Sequence, residues 1–178
     1  MTEVYISFDV EANGPIPGFK EYSMASLGAC VVGETEKSFY AVLKPISENF
    51  ISEAMAVHGI SMEEQKKGLD PAEGMKKFSE WVESVGKNKR IVFVSFGEFD
   101  YLFLKWYLVN YGFPKLGGPN WLDMKSYYMG MAKTDFGSTT KKKIPSFLKG
   151  SRKHTHNALD DAVEQAELFE LMLKNNKN

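Results

Sequence analysis

An α/β chain with a mixed sheet flanked by helices is what this sequence predicts, and three observations predict it. Apolar and polar residues alternate through the first 43 positions, broken by short Gly/Pro turns. Helical spacing takes over after Pro71. Two brief apolar runs then interleave with helical segments, which adds parallel strands to an antiparallel meander and gives five strands in all.

Each element has its own local cause. Val4, Ile6, Phe8 and Val10 alternate with Tyr5, Ser7, Asp9 and Glu11, the two-residue period of a strand. The loop Gly14-Pro15-Ile16-Pro17-Gly18 interrupts it, and residues 24–32 read as a second strand. Gly33-Glu34 supplies a tight turn into a third strand at 38–43, closed by Pro45. Met75, Phe78, Val82 and Val85 recur at helical spacing, with Pro71 at the start and Gly86 at the end. Residues 91–95 form a buried strand, and after Gly97 the stripe Phe99, Leu102, Phe103 and Trp106 marks a helix. A loop from Gly112 through Pro119 leads to a last short strand, Trp121-Leu122-Asp123. A polar, lysine-rich stretch begins near Lys133, and Leu159, Ala162, Val163, Ala166 and Phe169 define a closing helix. No repeat or linker divides the chain, so residues 1–178 are expected to form a single domain.

Composition narrows the setting. With 178 residues, 43% of them apolar and 13% aromatic, the chain buries roughly 70% of its unfolded surface and needs no staples. Its one cysteine, Cys30, lies in an apolar run and reads as a structural thiol in a reducing compartment. The chain enters its first strand without a basic leader and has no apolar run near ~20 residues. A cytoplasmic protein without membrane association is therefore expected. The formal charge of −1 excludes a uniformly basic coat but hides a division. Between Lys133 and His154 seven Lys/Arg face one acid, Asp135, so that window carries about +6 and the remainder about −7.

The chemistry concentrates at strand ends. Asp9 and Glu11, two apart on a strand, project from one face roughly 6.6 Å apart along the chain. Two carboxylates so placed repel unless a cation or proton intervenes, or unless the strand end is simply solvated. Asp100 follows a buried strand that turns through Gly97 into a helix, where sites in open α/β sheets gather. It also suits the positive end of that helix dipole. His156 precedes the closing helix and Asp161 lies in its first turns. Asn157 is placed to cap that helix and Asp160 to complement its dipole, roles that leave His156 and Asp161 unexplained.

Together these segments resemble the DEDDh family of exonucleases, which includes ribonuclease T, oligoribonuclease and the replicase proofreading subunit. Phe8-Asp9-Val10-Glu11 is similar to its first motif, Phe96-Gly97-Glu98-Phe99-Asp100 to its second, and His156-Asn157-Ala158-Leu159-Asp160-Asp161-Ala162 to its third. The resemblance implies a ribonuclease H-like fold and a metal-dependent 3′→5′ exonuclease that releases nucleoside 5′-monophosphates. It implies that Asp9, Glu11, Asp100 and Asp161 bind two divalent cations, Mg²⁺ or Mn²⁺, with His156 as general base and Glu11 sharing the catalytic work.

Substrate contacts are read from the departures. Relatives carry His-Asn where this chain has Ser95-Phe96, and a Thr-Thr-Gly or Thr-Ser-Gly run where it has Ala12-Asn13-Gly14. Ala12 and Asn13 are thus expected to offer backbone contacts to the 3′-terminal nucleotide, and Phe96 an aromatic surface. Lys141, Lys142, Lys143, Lys149, Arg152 and Lys153 are candidates for the phosphate backbone. His58-Gly59-Ile60 resembles a segment that relatives place beside the nucleotide pocket, though a structural turn explains it as well. Trp121 and Asp123 read as structural. The expected partner is a single-stranded 3′ end, with RNA slightly ahead of DNA because a small stand-alone domain suits trimming better than proofreading. The sequence does not show whether the chain pairs as a homodimer. An idle binding module and an endonuclease on the same architecture are the competing readings.

Overall fold

A computed structural model of the chain describes residues 3–118 and 120–176; Pro119 and the chain ends lie outside the described residues. Strands β1 (Glu3–Ala12), β2 (Met24–Val31) and β3 (Glu34–Val42) form the antiparallel meander. Short helices α1 (Ser52–His58) and α2 (Met62–Gln65) lead to α3 (Pro71–Val85). Then come β4 (Arg90–Ser95), α4 (Glu98–Asn110), β5 (Trp121–Asp123), α5 (Met124–Ala132) and α6 (Ala158–Asn175). The sheet order is β3-β2-β1-β4-β5, with β4 parallel to both β1 and β5.

β1 therefore runs through the middle of the sheet, and helices cover both its faces. Ile6, Phe8 and Val10 pack with Phe78, Val82, Phe103 and Tyr107 from α3 and α4. On the opposite face α6 lies across β1 and β2, where Ser7 Oγ donates to the Ala162 carbonyl at 2.8 Å. The polar half of the alternating β1 pattern is buried as well, because it faces a helix and not water.

Gly28 sets how closely α6 approaches. A Cβ at this position would lie 2.2 Å from Ala158 C and 2.3 Å from Leu159 N. The absent side chain lets the first turn of α6 rest on β2, at the residue paired across the sheet with Asp9.

Most expected elements appear where the spacing placed them. β3 starts earlier than 38, at Glu34, so the turn at Gly33 is tighter than anticipated. Residues 124–132, which no sequence period announces, form α5, capped by Asp123 accepting from the Lys125 and Ser126 N–H groups. Trp121 is structural, as expected: its Nε1 donates to Ser95 Oγ at 2.9 Å and its ring stacks on Tyr101 at 4.5 Å. Cys30 is buried, and burial pushes its thiol up to about 12. His58 ends α1, its Nδ1 accepting from the Ile60 N–H at 3.0 Å beside the left-handed Gly59. Among the described residues no helix is long and apolar enough to cross a membrane.

Candidate active site

Three elements deliver four acids to one end of the sheet. β1 carries Asp9 and Glu11 to its carboxyl end; Gly97, at φ 112, turns the chain from β4 into α4, which carries Asp100. α6 carries Asp161 in its first turn. All four are withdrawn from water: Asp9 is 7% exposed, Glu11 and Asp100 8%, and Asp161 0%.

One carboxylate oxygen from each of Asp9, Glu11 and Asp161 lies within 4.8 Å of the others. Asp100 stands outside that triplet but shares a pocket of about 310 Å³ with Asp9, Phe96, Lys141 and Gln165. The Val10 N–H donates to Asp100 Oδ1 at 3.2 Å, fixing it against β1.

Loss of hydration raises the acids' affinity for protons, and their mutual repulsion adds to it. Asp9 is pushed well above the usual carboxylate range, first by burial and then by Asp100, Glu11 and Asp161, against a modest pull from Lys141. Glu11 rises to about 8 for the same reasons. Asp100 rises to about 7, chiefly through burial, while the Val10 N–H and Lys141 oppose the shift. Clustered carboxylates held in this state favour a cation that neutralises them. An all-oxygen donor set suits hard divalent ions.

Asp161 is oriented by the loop before α6. Its Oδ1 accepts from the Thr155 N–H and its Oδ2 from the His156 N–H, each at 2.8 Å. His156 itself is exposed, at φ 59, and opens the helix next to Asn157, whose Oδ1 caps the Leu159 and Asp160 N–H groups.

The model of the RNase T family, described as Exonuclease, matches residues 6–169. The chain belongs to this family of DEDDh 3′→5′ exonucleases. The exonuclease is 44% identical over 175 residues to the 3′-5′ DNA exonuclease Cap18 of Escherichia coli, covering 97% of this chain and 92% of that one. A full-length 3′-exonuclease superposes with a TM-score of 0.75 at 16% identity, over 97% of this chain and 81% of the other. The nuclease domain of 3′hExo, a DEDDh family member bound to rAMP, gives 0.69 at 14% identity, over 97% and 91%. These two show the shared ribonuclease H-like fold. The DEDDh family uses divalent metals, and the triplet Asp9, Glu11 and Asp161 is where this exonuclease offers ligands for one.

Ala12 and Asn13, expected to offer backbone contacts, lie at the buried end of β1. Asn13 is fully buried and spent on structure. Its carboxamide pairs reciprocally with that of Gln65, both bonds at 2.9 Å, and its backbone N–H and C=O bond to Ser23 and Ile51. Ala12 buries its methyl in the main core. Both positions anchor the end of β1, and the Asn13 backbone groups are already paired. Phe96 does line the pocket, with Lys141 Nζ 5.4 Å from its ring centroid. Lys153 is exposed but does not line it; Lys125 and Lys141 do.

Gln165 was missed. Its Nε2 donates to Asp9 Oδ1 at 2.6 Å and its Oε1 accepts from the Phe96 N–H at 3.0 Å, tying α6 to the ends of β1 and β4. It lies four residues after Asp161, on the same helix face, so the spacing did contain that signal. Lys141, one of the lysines expected near the phosphate backbone, lines the pocket, and His154 reaches it through loop folding, which no periodicity announces.

Proposed function

We propose that this exonuclease shortens single-stranded DNA from its 3′ end, releasing nucleoside 5′-monophosphates. Asp9, Glu11, Asp100 and Asp161 hold two divalent cations, Mg²⁺ or Mn²⁺, and His156 is the general base. The observation that carries this reading is the buried triplet of carboxylate oxygens from Asp9, Glu11 and Asp161 within 4.8 Å, at the end of the central strand.

When bound, the ions supply charge neutralisation and a Lewis-acidic setting for phosphodiester hydrolysis. The chain's own groups do the rest. Gln165 holds Asp9 and the Thr155 and His156 N–H groups hold Asp161, so the acids are oriented before substrate arrives. His156, exposed at the rim beside Asp161, takes the proton of the attacking water; imidazole is the side chain that exchanges a proton near neutral pH. Phe96 offers a face for the terminal nucleotide, and Lys125 and Lys141 provide positive charge at the pocket for the phosphate backbone.

DNA replaces RNA as the proposed substrate. The lean toward RNA rested on organisation alone, whereas a relative 44% identical along nearly the whole chain is named a DNA exonuclease. The test is a 5′-labelled single-stranded DNA beside the matching RNA, with Mg²⁺ or Mn²⁺, EDTA, and an Asp9→Asn control. A one-nucleotide ladder on DNA that EDTA and the variant abolish is the expected result. A ladder on RNA alone overturns the sugar assignment. Mid-chain cuts favour an endonuclease, and no metal-dependent cleavage favours an idle binding module.

A further inference from the structure

The loop entering α6 brings a second histidine to Asp161. His154 lies two residues before His156, and their rings meet edge to face with centroids 4.4 Å apart. His154 Nδ1 is 3.1 Å from Asp161 Oδ2 and 3.6 Å from Glu164 Oε2. One ligand atom from each of His154, His156 and Asp161 falls within 4.8 Å of the other two. Because Asp161 is bonded to the Thr155 and His156 N–H groups, the three side chains are held by one short loop.

Their donor chemistry differs from that of the carboxylate triplet. Two imidazole nitrogens and one oxygen suit Zn²⁺, with bonds of roughly 2.0–2.2 Å and a tetrahedral arrangement. Such bonds place neighbouring donors roughly 3.3–3.5 Å apart, near the 3.1 Å already separating His154 Nδ1 from Asp161 Oδ2. His156 is exposed, so its ring is free to turn the remaining distance. Mg²⁺ prefers oxygen donors and retains its waters, which leaves nitrogen donors to ions such as Zn²⁺.

We propose that His154, His156 and Asp161 form a Zn²⁺ site whose occupation switches the exonuclease off. Zn²⁺ there takes Asp161 Oδ2 and the imidazole lone pair of His156, both of which the proposed reaction needs. The inhibitory part thus rests on that proposed reaction; the binding part does not. His154 is the one ligand that the proposed reaction leaves unused, so it separates the two roles.

The test titrates Zn²⁺ against a chromophoric chelator in excess Mg²⁺, with the whole protein and with the variants His154→Ala and His154→Gln. The His154 side chain is 42% exposed, so neither variant threatens folding. The wild type is expected to bind one Zn²⁺. Both variants should weaken binding by at least the roughly 10–100-fold that loss of an outer-shell partner costs a metal site. A parallel assay measures Zn²⁺ inhibition of Mg²⁺-supported DNA cleavage, each protein scaled to its own Zn²⁺-free rate. The inhibitory concentration should rise in the variants by the same factor. Equal Zn²⁺ affinity in all three proteins, or no Zn²⁺ uptake by the wild type, overturns the site. Uptake that leaves cleavage unchanged overturns the switch. A protein inactive with Mg²⁺ and with Mn²⁺ contradicts the proposed reaction, while the chelator titration still judges the metal site.

Discussion

Replacing Gly28 with alanine should disable the enzyme from outside its acid cluster. The added methyl would lie 2.2–2.3 Å from backbone atoms of Ala158 and Leu159, whereas ordinary contact begins at 3.4 Å. Backbone cannot rotate aside as a side chain can, so the start of α6 must retreat by about 1.2 Å, the difference between those limits. Asp161 sits one turn further along and moves with it, while Asp9, paired with Gly28 across the sheet, stays. A displacement of about 1 Å in a reacting constellation costs about 100-fold in rate. Overpacking of this kind costs about 1–3 kcal/mol of stability, or roughly 2–12 °C in Tm for a domain of this length. Steady-state cleavage of labelled DNA and a thermal melt measure both quantities on one preparation. If Gly28→Ala keeps the wild-type kcat, the close approach of α6 to β2 does not set the site, whatever the melt shows.

The metal-free protein should lose stability as pH rises. Glu11 and Asp100 are raised to about 8 and about 7 in the folded state, so it binds more protons than the unfolded chain above roughly pH 4.5. Tm in EDTA should therefore fall between pH 5 and 8, and Mg²⁺ should flatten the slope; a flat profile in EDTA contradicts the buried repulsion. Asp9→Asn removes one charge while its Oδ1 still accepts from Gln165. At pH 8 in EDTA this variant should melt higher than the wild type, yet lose at least about 100-fold in cleavage rate; a lower melt contradicts the repulsion argument. Asn13→Ala strands the buried Gln65 Oε1, while Gln65 Nε2 keeps its bond to the Ile60 carbonyl, and should cost about 1–3 kcal/mol, read as a lower urea midpoint at constant m. No change in that midpoint would mean that the amide pair contributes nothing.

The parts of this fold legible in sequence are those governed by period and punctuation. Pro71 and Gly86 bracket α3, and Asn157 announces α6, because capping chemistry is local. α5 escaped notice although Asp123 caps it, since its apolar face is weak and it begins directly after a three-residue strand. Motif order points to the acids and His156; the acids lie on elements that periodicity could place, and His156 just before one. The role of the Asn13 side chain was not legible, because sequence shows a carboxamide but not Gln65, which arrives 52 residues later to occupy it. Lys141 and His154 belong to a loop whose path is set by tertiary contacts such as the Lys141–Glu164 ion pair at 2.5 Å.

The grip on Asp161 limits how that residue is replaced. Each of its oxygens faces an N–H, from Thr155 on one side and His156 on the other. An asparagine of identical shape would set its NH₂ against one of those hydrogens, donor against donor, in a spot water does not reach. The substitution most often chosen to silence a carboxylate gently would here pry open the histidine-bearing segment, and inactivity in that mutant would report a broken hinge as much as a missing ligand.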